Sequence, residues 1–167
     1  MKVTRKWIAE FVPGLDATPE EIARRLTAHG LEVESVTSLA AGFENVVVGV
    51  LLEVKPHPTS NKPLTVCQVD VGDGTPRQIV CGAKNHKAGD KVVVALPGAK
   101  LPATAKSPEG FKISKGKLAG EVSDCMLCSL TELRLGEEAD GIIVLPADAK
   151  VGTPAAKALG VDDAILE

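Results

Sequence analysis

The sequence predicts an α+β chain with mainly β content, in which a small β-barrel is inserted between the two halves of a helix-and-strand domain. Three observations favour this fold. Helix-capping signals occur near both ends of the chain, short alternating apolar runs fill its middle, and Gly, Pro and Asp separate those runs. The predicted boundaries are residues 1–40 and 149–167 for the outer domain and residues 41–148 for the barrel.

Two helices are predicted before the barrel. In the first, Trp7 and Phe11 lie four positions apart and therefore on one helix face, and Thr4 is the candidate N-cap. The second helix begins at Thr18-Pro19, a cap residue followed by proline, which suits the first helical position. Glu21 is placed to complete a capping box with that threonine.

Glycines are predicted to end two of the helices. Gly30 can close the second helix in the left-handed conformation. A last helix is expected to begin at Thr153-Pro154 and to end at Gly160. Residues 164–167 are expected to lie where a further strand would start, so the chain is interpreted as an N-terminal fragment of a longer protein.

Alternating apolar residues mark the strands of the barrel and its neighbours. The turn signal Gly72-Asp73-Gly74 separates two of them, and the proline-containing stretch 97–110 is predicted to be an exposed loop. A short helix is predicted over residues 127–133. The predicted strands span residues 31–36, 46–54, 64–71, 77–81, 91–96, 112–121 and 141–145.

Composition limits the classes of function. The 167 residues are 44% hydrophobic and 25% charged, as in ordinary globular proteins. The sequence contains no apolar run long enough to cross a bilayer and no secretion signal after Met1, which favours a cytoplasmic protein without membrane contact.

Charge is unevenly distributed along a chain of net charge −3. Residues 100–120 contain five lysines, among them Lys106, and one acidic residue, whereas residues 121–167 contain three basic and ten acidic residues. A polyanion would therefore meet a local basic patch, unless these lysines only solvate a loop. With three Phe, one Trp and no Tyr, stacking on several aromatic rings is excluded as the main mode of RNA binding.

The four cysteines are predicted to be reduced and structural. Cys125 and Cys128 form a C-x-x-C pair, but a zinc ribbon needs a second such pair, and Cys67 and Cys81 are too far apart in sequence to provide it. No βαβ unit is visible that would suit a redox C-x-x-C. We expect neither bound metal nor disulfides.

Two stretches that join alternating runs to polar loops carry a family resemblance. They are His57-Pro58-Thr59-Ser60-Asn61-Lys62-Pro63-Leu64 with the strand that follows, and Ile79-Val80-Cys81-Gly82-Ala83-Lys84-Asn85. They resemble the tRNA-binding OB-fold module of bacterial phenylalanyl-tRNA synthetase β subunits. Further matches in order and spacing are Trp7, residues 29–36, 92–99, 117–120, 126–129 and 141–146. The matches before the barrel distinguish this chain from free-standing modules of the same family, because those modules lack the helical start.

The resemblance implies a non-catalytic, tRNA-binding part of an enzyme that, as a full α/β complex, aminoacylates tRNA with phenylalanine. It implies an OB-fold, weak and salt-sensitive tRNA binding, and no DNA binding. It also implies contact with the catalytic α subunit through parts of the β subunit outside this chain. ATP and Mg are expected only for the full enzyme, with no cofactor here and no catalytic residue. No phosphate-binding or hydrolase motif is present.

Four places are candidates for RNA contact: two polar loops, an alternating lysine segment, and the family's Met-Leu-Cys-Ser run. Each residue also has a structural interpretation, as a turn residue, a solvated charge or part of the core. The candidates are Ser60, Asn61, Lys62, Lys84, Asn85, His86, Lys112, Lys115, Lys117, Met126 and Ser129. Two alternatives stay open: a structural docking module of the synthetase, and an OB-fold that binds protein or saccharide.

Overall fold

The computed structural model describes residues 1–103, 109–137 and 141–167. Lys106, which contributes to the basic stretch, lies outside the described residues. The chain forms two compact units, residues 1–41 with 159–167 (the outer unit) and residues 42–158 (the barrel unit). Residues 149–158, which the sequence prediction assigned to the outer domain, cluster with the barrel unit. No helix in the described ranges is both long and apolar enough to cross a membrane.

The elements are numbered in chain order. They are β1 (Val3–Thr4), α1 (Arg5–Phe11), α2 (Pro19–Ala28), β2 (Val36–Ser38), β3 (Val46–Pro56), β4 (Thr65–Asp70), β5 (Arg77–Cys81), β6 (Lys91–Ala95), β7 (Lys100–Leu101), β8 (Phe111–Lys112), β9 (Gly116–Leu118), β10 (Glu121–Ser123), β11 (Met126–Leu127), β12 (Val144–Leu145), α3 (Ala155–Ala158) and β13 (Ala164–Leu166).

Both predicted N-caps of the outer unit are formed. The Thr4 hydroxyl accepts a hydrogen bond from the backbone N–H of Trp7 at 3.1 Å, and the Thr18 hydroxyl accepts one from that of Glu21 at 3.2 Å. The predicted capping box is wrong, because the Glu21 carboxylate turns to Arg24 and Arg25 on the helix surface. These two guanidinium groups lower the pKa of Glu21 to about 2.

The sheet of the outer unit has the order β1-β13-β2, with all pairs antiparallel. Residues 164–166 therefore form a central strand, which corrects the expectation that a strand would only begin after them. The predicted strand at residues 31–36 is shifted, since β2 begins at Val36. Backbone bonds between Ser35 and Glu167 extend the pairing by one residue beyond the strands.

The barrel unit is built on a sheet of order β11-β6-β3-β4-β5, with β12 also paired to β6. The long strand β3 pairs with β6 through its first half and with β4 through its second, and a register shift lies between Leu51 and Glu53. This irregularity bends β3 so that one strand serves two sides of a barrel. Near β11 the sheet closes on β5, where the backbone N–H of Asp124 donates to the carbonyl of Gln78 at 2.8 Å. The predicted mainly β fold with an OB-type barrel is confirmed.

The barrel core explains the valine-rich strands. Leu51, Val69, Ile79, Val92 and Val94 are all fully buried in one cluster. Burying each such side chain contributes about 1.5–3 kcal/mol. Strand β6 is buried on both faces, which accounts for its unbroken apolar run.

Two predicted elements of the barrel unit are wrong. Residues 112–121 do not form one strand, because left-handed backbone at Ala119 and Gly120 reverses the chain between β9 and β10. Residues 127–133 do not form a helix: β11 is followed by a single turn in which the N–H of Leu135 bonds the carbonyl of Leu130. In the predicted strand at residues 141–145, only Val144–Leu145 pairs as a strand.

Candidate nucleic-acid interface

A shallow groove crosses the barrel unit beside β5 and β11. Its larger part, about 720 Å³, is lined by residues that include Gly82, Lys84 and Glu132. A smaller part, about 260 Å³, is lined by residues that include Phe111, Lys112 and Lys117. Val80, Leu118 and Met126 line both parts, so we treat them as one surface, called the groove.

Side-chain hydrogen bonds fix the strands around the groove. The Ser123 hydroxyl accepts from the backbone N–H of Val80 at 3.2 Å and donates to the carbonyl of Cys125 at 3.0 Å. The Gln78 amide donates to Glu121 and to the carbonyl of Val122, both at 3.0 Å. The wall formed by β9 and β10 is therefore tied to β5 through polar side chains as well as through backbone.

The structure brings several of the predicted contact residues together. Lys84, Met126 and Ser129 line the larger part of the groove, and Lys112 and Lys117 line the smaller part. They do not share one strand face, since Lys112 lies in β8 and Lys117 in β9. Residues 113–115 connect these two strands, and β8 and β9 belong to different two-stranded sheets.

Lys115 has a partner within the chain. Its ammonium group lies 2.7 Å from a carboxylate oxygen of Asp124, and the lysine side chain is 69% exposed. A phosphate would have to compete with that carboxylate. Lys115 is consequently a weaker candidate for RNA contact than Lys84, Lys112 or Lys117.

The predicted loop of Ser60, Asn61 and Lys62 lies outside the lining of the groove. The loop is organised from within by His57, which is buried and accepts hydrogen bonds at Nδ1 from the N–H groups of Thr59 (3.3 Å) and Ser60 (3.0 Å). The Ser60 hydroxyl accepts from the N–H of Lys62 at 3.1 Å. This loop presents Lys62 to solvent on an ordered turn.

The second predicted loop uses its polar side chains to hold the fold. The Asn85 amide donates to the carbonyl of Ile142 at 2.8 Å and accepts from its N–H at 3.0 Å. His86 Nε2 lies 3.0 Å from the Thr65 hydroxyl and 3.5 Å from the thiol sulfur of Cys67. Burial lowers the pKa of His86. Of the three loop residues only Lys84 lines the groove, and its side chain makes no such bond to any residue in the described ranges.

Ser129 and Glu132 form a reciprocal pair. One carboxylate oxygen of Glu132 accepts from the Ser129 N–H at 2.7 Å and from its hydroxyl at 2.8 Å, and the Glu132 N–H donates to that hydroxyl at 3.4 Å. This is the bonding of a capping box, here without a helix to follow. The spacing Ser-x-x-Glu is visible in the sequence, but only the structure shows that the two side chains line the groove.

The electrostatics of the groove favour an anionic ligand. In the described ranges no ion pair involves Lys84, Lys112 or Lys117, whereas Lys115, Arg77 and Lys55 are each paired with a carboxylate. Ammonium groups without counter-charges gain more from a phosphate than paired ones do, because no existing interaction has to break.

The cysteines offer no chemistry at the surface. All four are free and buried, and burial raises the pKa of Cys67, Cys81 and Cys128 and that of Cys125 to about 11. Among the described residues, no three His, Cys, Asp or Glu side chains lie together as metal ligands would.

Sequence reasoning missed the apolar part of the groove. Leu118 is 49% exposed and Phe111 37% exposed, and both line it. The available signal was weak: Phe111 is one of few aromatic residues and stands next to a lysine. The sequence around Leu118 predicts an ordinary strand residue and does not indicate that its side chain lines a groove.

The barrel unit matches a known family. Residues 46–154 match the model of the putative tRNA binding domain, and the chain belongs to that family. Over its whole length the chain also matches the N-terminal region of phenylalanine–tRNA ligase β subunits, as the resemblance predicted. It is 47% identical to that of Bdellovibrio bacteriovorus, 46% to that of Anaeromyxobacter dehalogenans and 44% to that of Geobacillus kaustophilus.

The chain spans about a fifth of the length of these relatives, 20% of the first two and 21% of the third. Among solved structures, a methionyl-tRNA-synthetase-related protein from Pyrococcus horikoshii is similar at a TM-score of 0.45 and 22% identity. That similarity covers 65% of this chain and 85% of the other.

Proposed function

We propose that the barrel unit binds tRNA through the groove, as a non-catalytic part of a phenylalanine–tRNA ligase β subunit. The family match over residues 46–154 and the identity of 47% to a β subunit support this proposal. The observation that carries it is a set of lysines that line the groove and have no ion-pair partner in the part of the chain that the structure describes: Lys84, Lys112 and Lys117.

The proposal extends to the full enzyme. Aminoacylation with ATP and Mg would take place on a catalytic α subunit, with which other parts of the β subunit would assemble, in the cytoplasm. The chain itself would contribute tRNA affinity and no reacting group or cofactor site. Lys62, on its ordered turn, would add a phosphate contact beside the groove.

The test is a titration of labelled tRNA against the chain and single lysine variants at low salt. We expect Lys84→Ala, Lys112→Ala and Lys117→Ala each to weaken binding by a modest factor, with smaller effects from Lys115→Ala because Asp124 already holds that ammonium group. Lys150→Ala is the matched control. It removes the same charge from the barrel unit, at a residue that lines a different depression.

Three outcomes separate the alternatives. Loss of affinity in the groove variants alone supports the proposal. Equal loss in the Lys150 control would indicate non-specific attraction. The proposal fails if all variants titrate like the parent, or if a saccharide or duplex DNA competes as well as unlabelled tRNA. The two alternatives then stand: a structural docking module of the synthetase, and an OB-fold that binds protein or saccharide.

A further inference from the structure

We propose that the groove takes an unpaired RNA base carrying an exocyclic amino group, and that Glu132 selects this base. The inference rests on the proposed function and deepens it, because it names the kind of tRNA segment that binds. An unpaired segment occurs in a loop or at an end of a folded RNA.

Apolar side chains line the groove together with its lysines. Leu118 and Phe111 are partly exposed in the groove, and Val80 and Met126 lie beside them. A ligand made only of phosphates would gain nothing from these side chains. A nucleotide matches both features, because its base has a flat face that packs on apolar and aromatic groups while its phosphate pairs with lysine.

The groove is recessed, and its lysines lie on different segments around the apolar residues. A duplex presents phosphates and 2′-hydroxyls on the outside and keeps its base faces stacked. Only an unstacked base can place its face against Leu118 or Phe111, so the structure favours a single-stranded segment.

The carboxylate of Glu132 provides a hydrogen-bond acceptor at the groove. Its Oε2 is held by the N–H and hydroxyl of Ser129 at 2.7 and 2.8 Å. Its Oε1 makes no hydrogen bond with any residue that the structure describes, and Glu132 lines the groove. A carboxylate oxygen accepts but does not donate, so it suits a base amino group, such as N4 of cytosine, and disfavours the O4 carbonyl of uracil.

The charge pattern agrees with this assignment. A carboxylate repels phosphate, and its presence among lysines would weaken a site built for phosphate alone. Ser129 fixes the orientation of Glu132, which is what a group that reads a base edge requires. We therefore assign Glu132 as a specificity-determining residue and the lysines as phosphate contacts.

The experiment uses the cytidine and uridine hexaribonucleotides, which carry equal charge and differ at the base edge. Fluorescence anisotropy with each labelled hexamer is expected to show about fivefold to tenfold tighter binding of the cytidine hexamer. Glu132→Gln should abolish or reverse this preference, because glutamine can present an N–H donor to uracil O4. An RNA duplex of equal charge should bind more weakly than the cytidine hexamer.

Two further variants complete the design. Glu53→Gln is the matched control, since it makes the same charge change in the barrel unit at a residue outside the groove lining, and it should leave the cytidine preference unchanged. Leu118→Ala should weaken binding of both hexamers by a few-fold without changing the salt dependence, as expected for a contact to the base and not to phosphate.

The results distinguish failure of the inference from failure of the proposed function. If tRNA binds and the lysine variants weaken it, but both hexamers bind alike in the parent and in Glu132→Gln, base selection is overturned while tRNA binding stands. A duplex that binds as tightly as the cytidine hexamer also overturns it. If the chain binds no tRNA, both proposals are wrong.

Discussion

Gly141 faces the side chain of Asn85, and a methyl group at this position would overlap the Asn85 amide. The residue also has φ +141°, a conformation that L residues rarely adopt. The same amide bonds both backbone groups of Ile142. At the scale of single residues, the two bonds from Asn85 to Ile142 hold one wall of the groove in place.

We predict that Gly141→Ala lowers the free energy of unfolding by about 1–3 kcal/mol, because it combines a strained backbone with a lost pair of hydrogen bonds. Urea denaturation of the two proteins measures it. Gly116→Ala is the control, since no atom lies within 4 Å of a Cβ built there and its φ is not left-handed. Equal stability of parent and Gly141→Ala would contradict the role given to Asn85.

The buried thiols give a second prediction at the residue scale. Because burial raises the pKa of Cys125 to about 11 and raises that of Cys128 too, both remain thiols at pH 8. In native protein at pH 8, a thiol reagent such as Ellman's should react slowly, and all four cysteines should react rapidly in denaturant. Fast labelling of native protein would show that the thiols are accessible.

At the scale of elements, helix α2 is stabilised from its N-terminus by a cap and by a charge cluster. Thr18 binds the N–H of Glu21, while Arg24 and Arg25 bind the Glu21 carboxylate. The charge cluster lies on the surface, so its contribution is small and depends on both salt and pH.

The pH dependence follows from the lowered pKa of Glu21, about 2 in place of 4.5. A carboxylate with a lowered pKa stabilises the fold fully above its unfolded value and loses that contribution as the pH falls toward the folded value. We therefore expect Glu21→Gln to melt below the parent at pH 7 and together with it near pH 2. Fluorescence of Trp7, the single tryptophan, follows the melting in the outer unit. A difference that persists at pH 2 would contradict the ion-pair explanation.

At the scale of the whole molecule, a chain of net charge −3 presents a groove with lysines that lack carboxylate partners in the described residues. Overall repulsion and local attraction oppose each other, so tRNA affinity should be modest. With three or four phosphate contacts, the slope of log affinity against log salt concentration should lie at roughly −2 to −4. A slope near zero would contradict phosphate contacts, and isothermal titration at several salt concentrations measures it.

The sequence by itself determined the type of fold, the capped helices and the strands β3 to β6, because apolar alternation and cap chemistry are local properties of the chain. Residues 77–81 and the caps at Thr4 and Thr18 were predicted at their observed positions. The family resemblance was also readable from the sequence and is confirmed. These features depend on residues that are close together in the chain.

Only the tertiary structure decided which polar residues face a ligand. Asn85 and Lys84 are neighbours in sequence, but Asn85 bonds Ile142, 57 residues away, while Lys84 lines the groove. Lys115 is paired with Asp124 across the hairpin of β9 and β10, whereas the alternation pattern predicted a single strand over residues 112–121. The closure of β5 on residues 122–124 joins residues 44 positions apart, such as Gln78 and Val122, and short-range patterns carry no signal for such contacts.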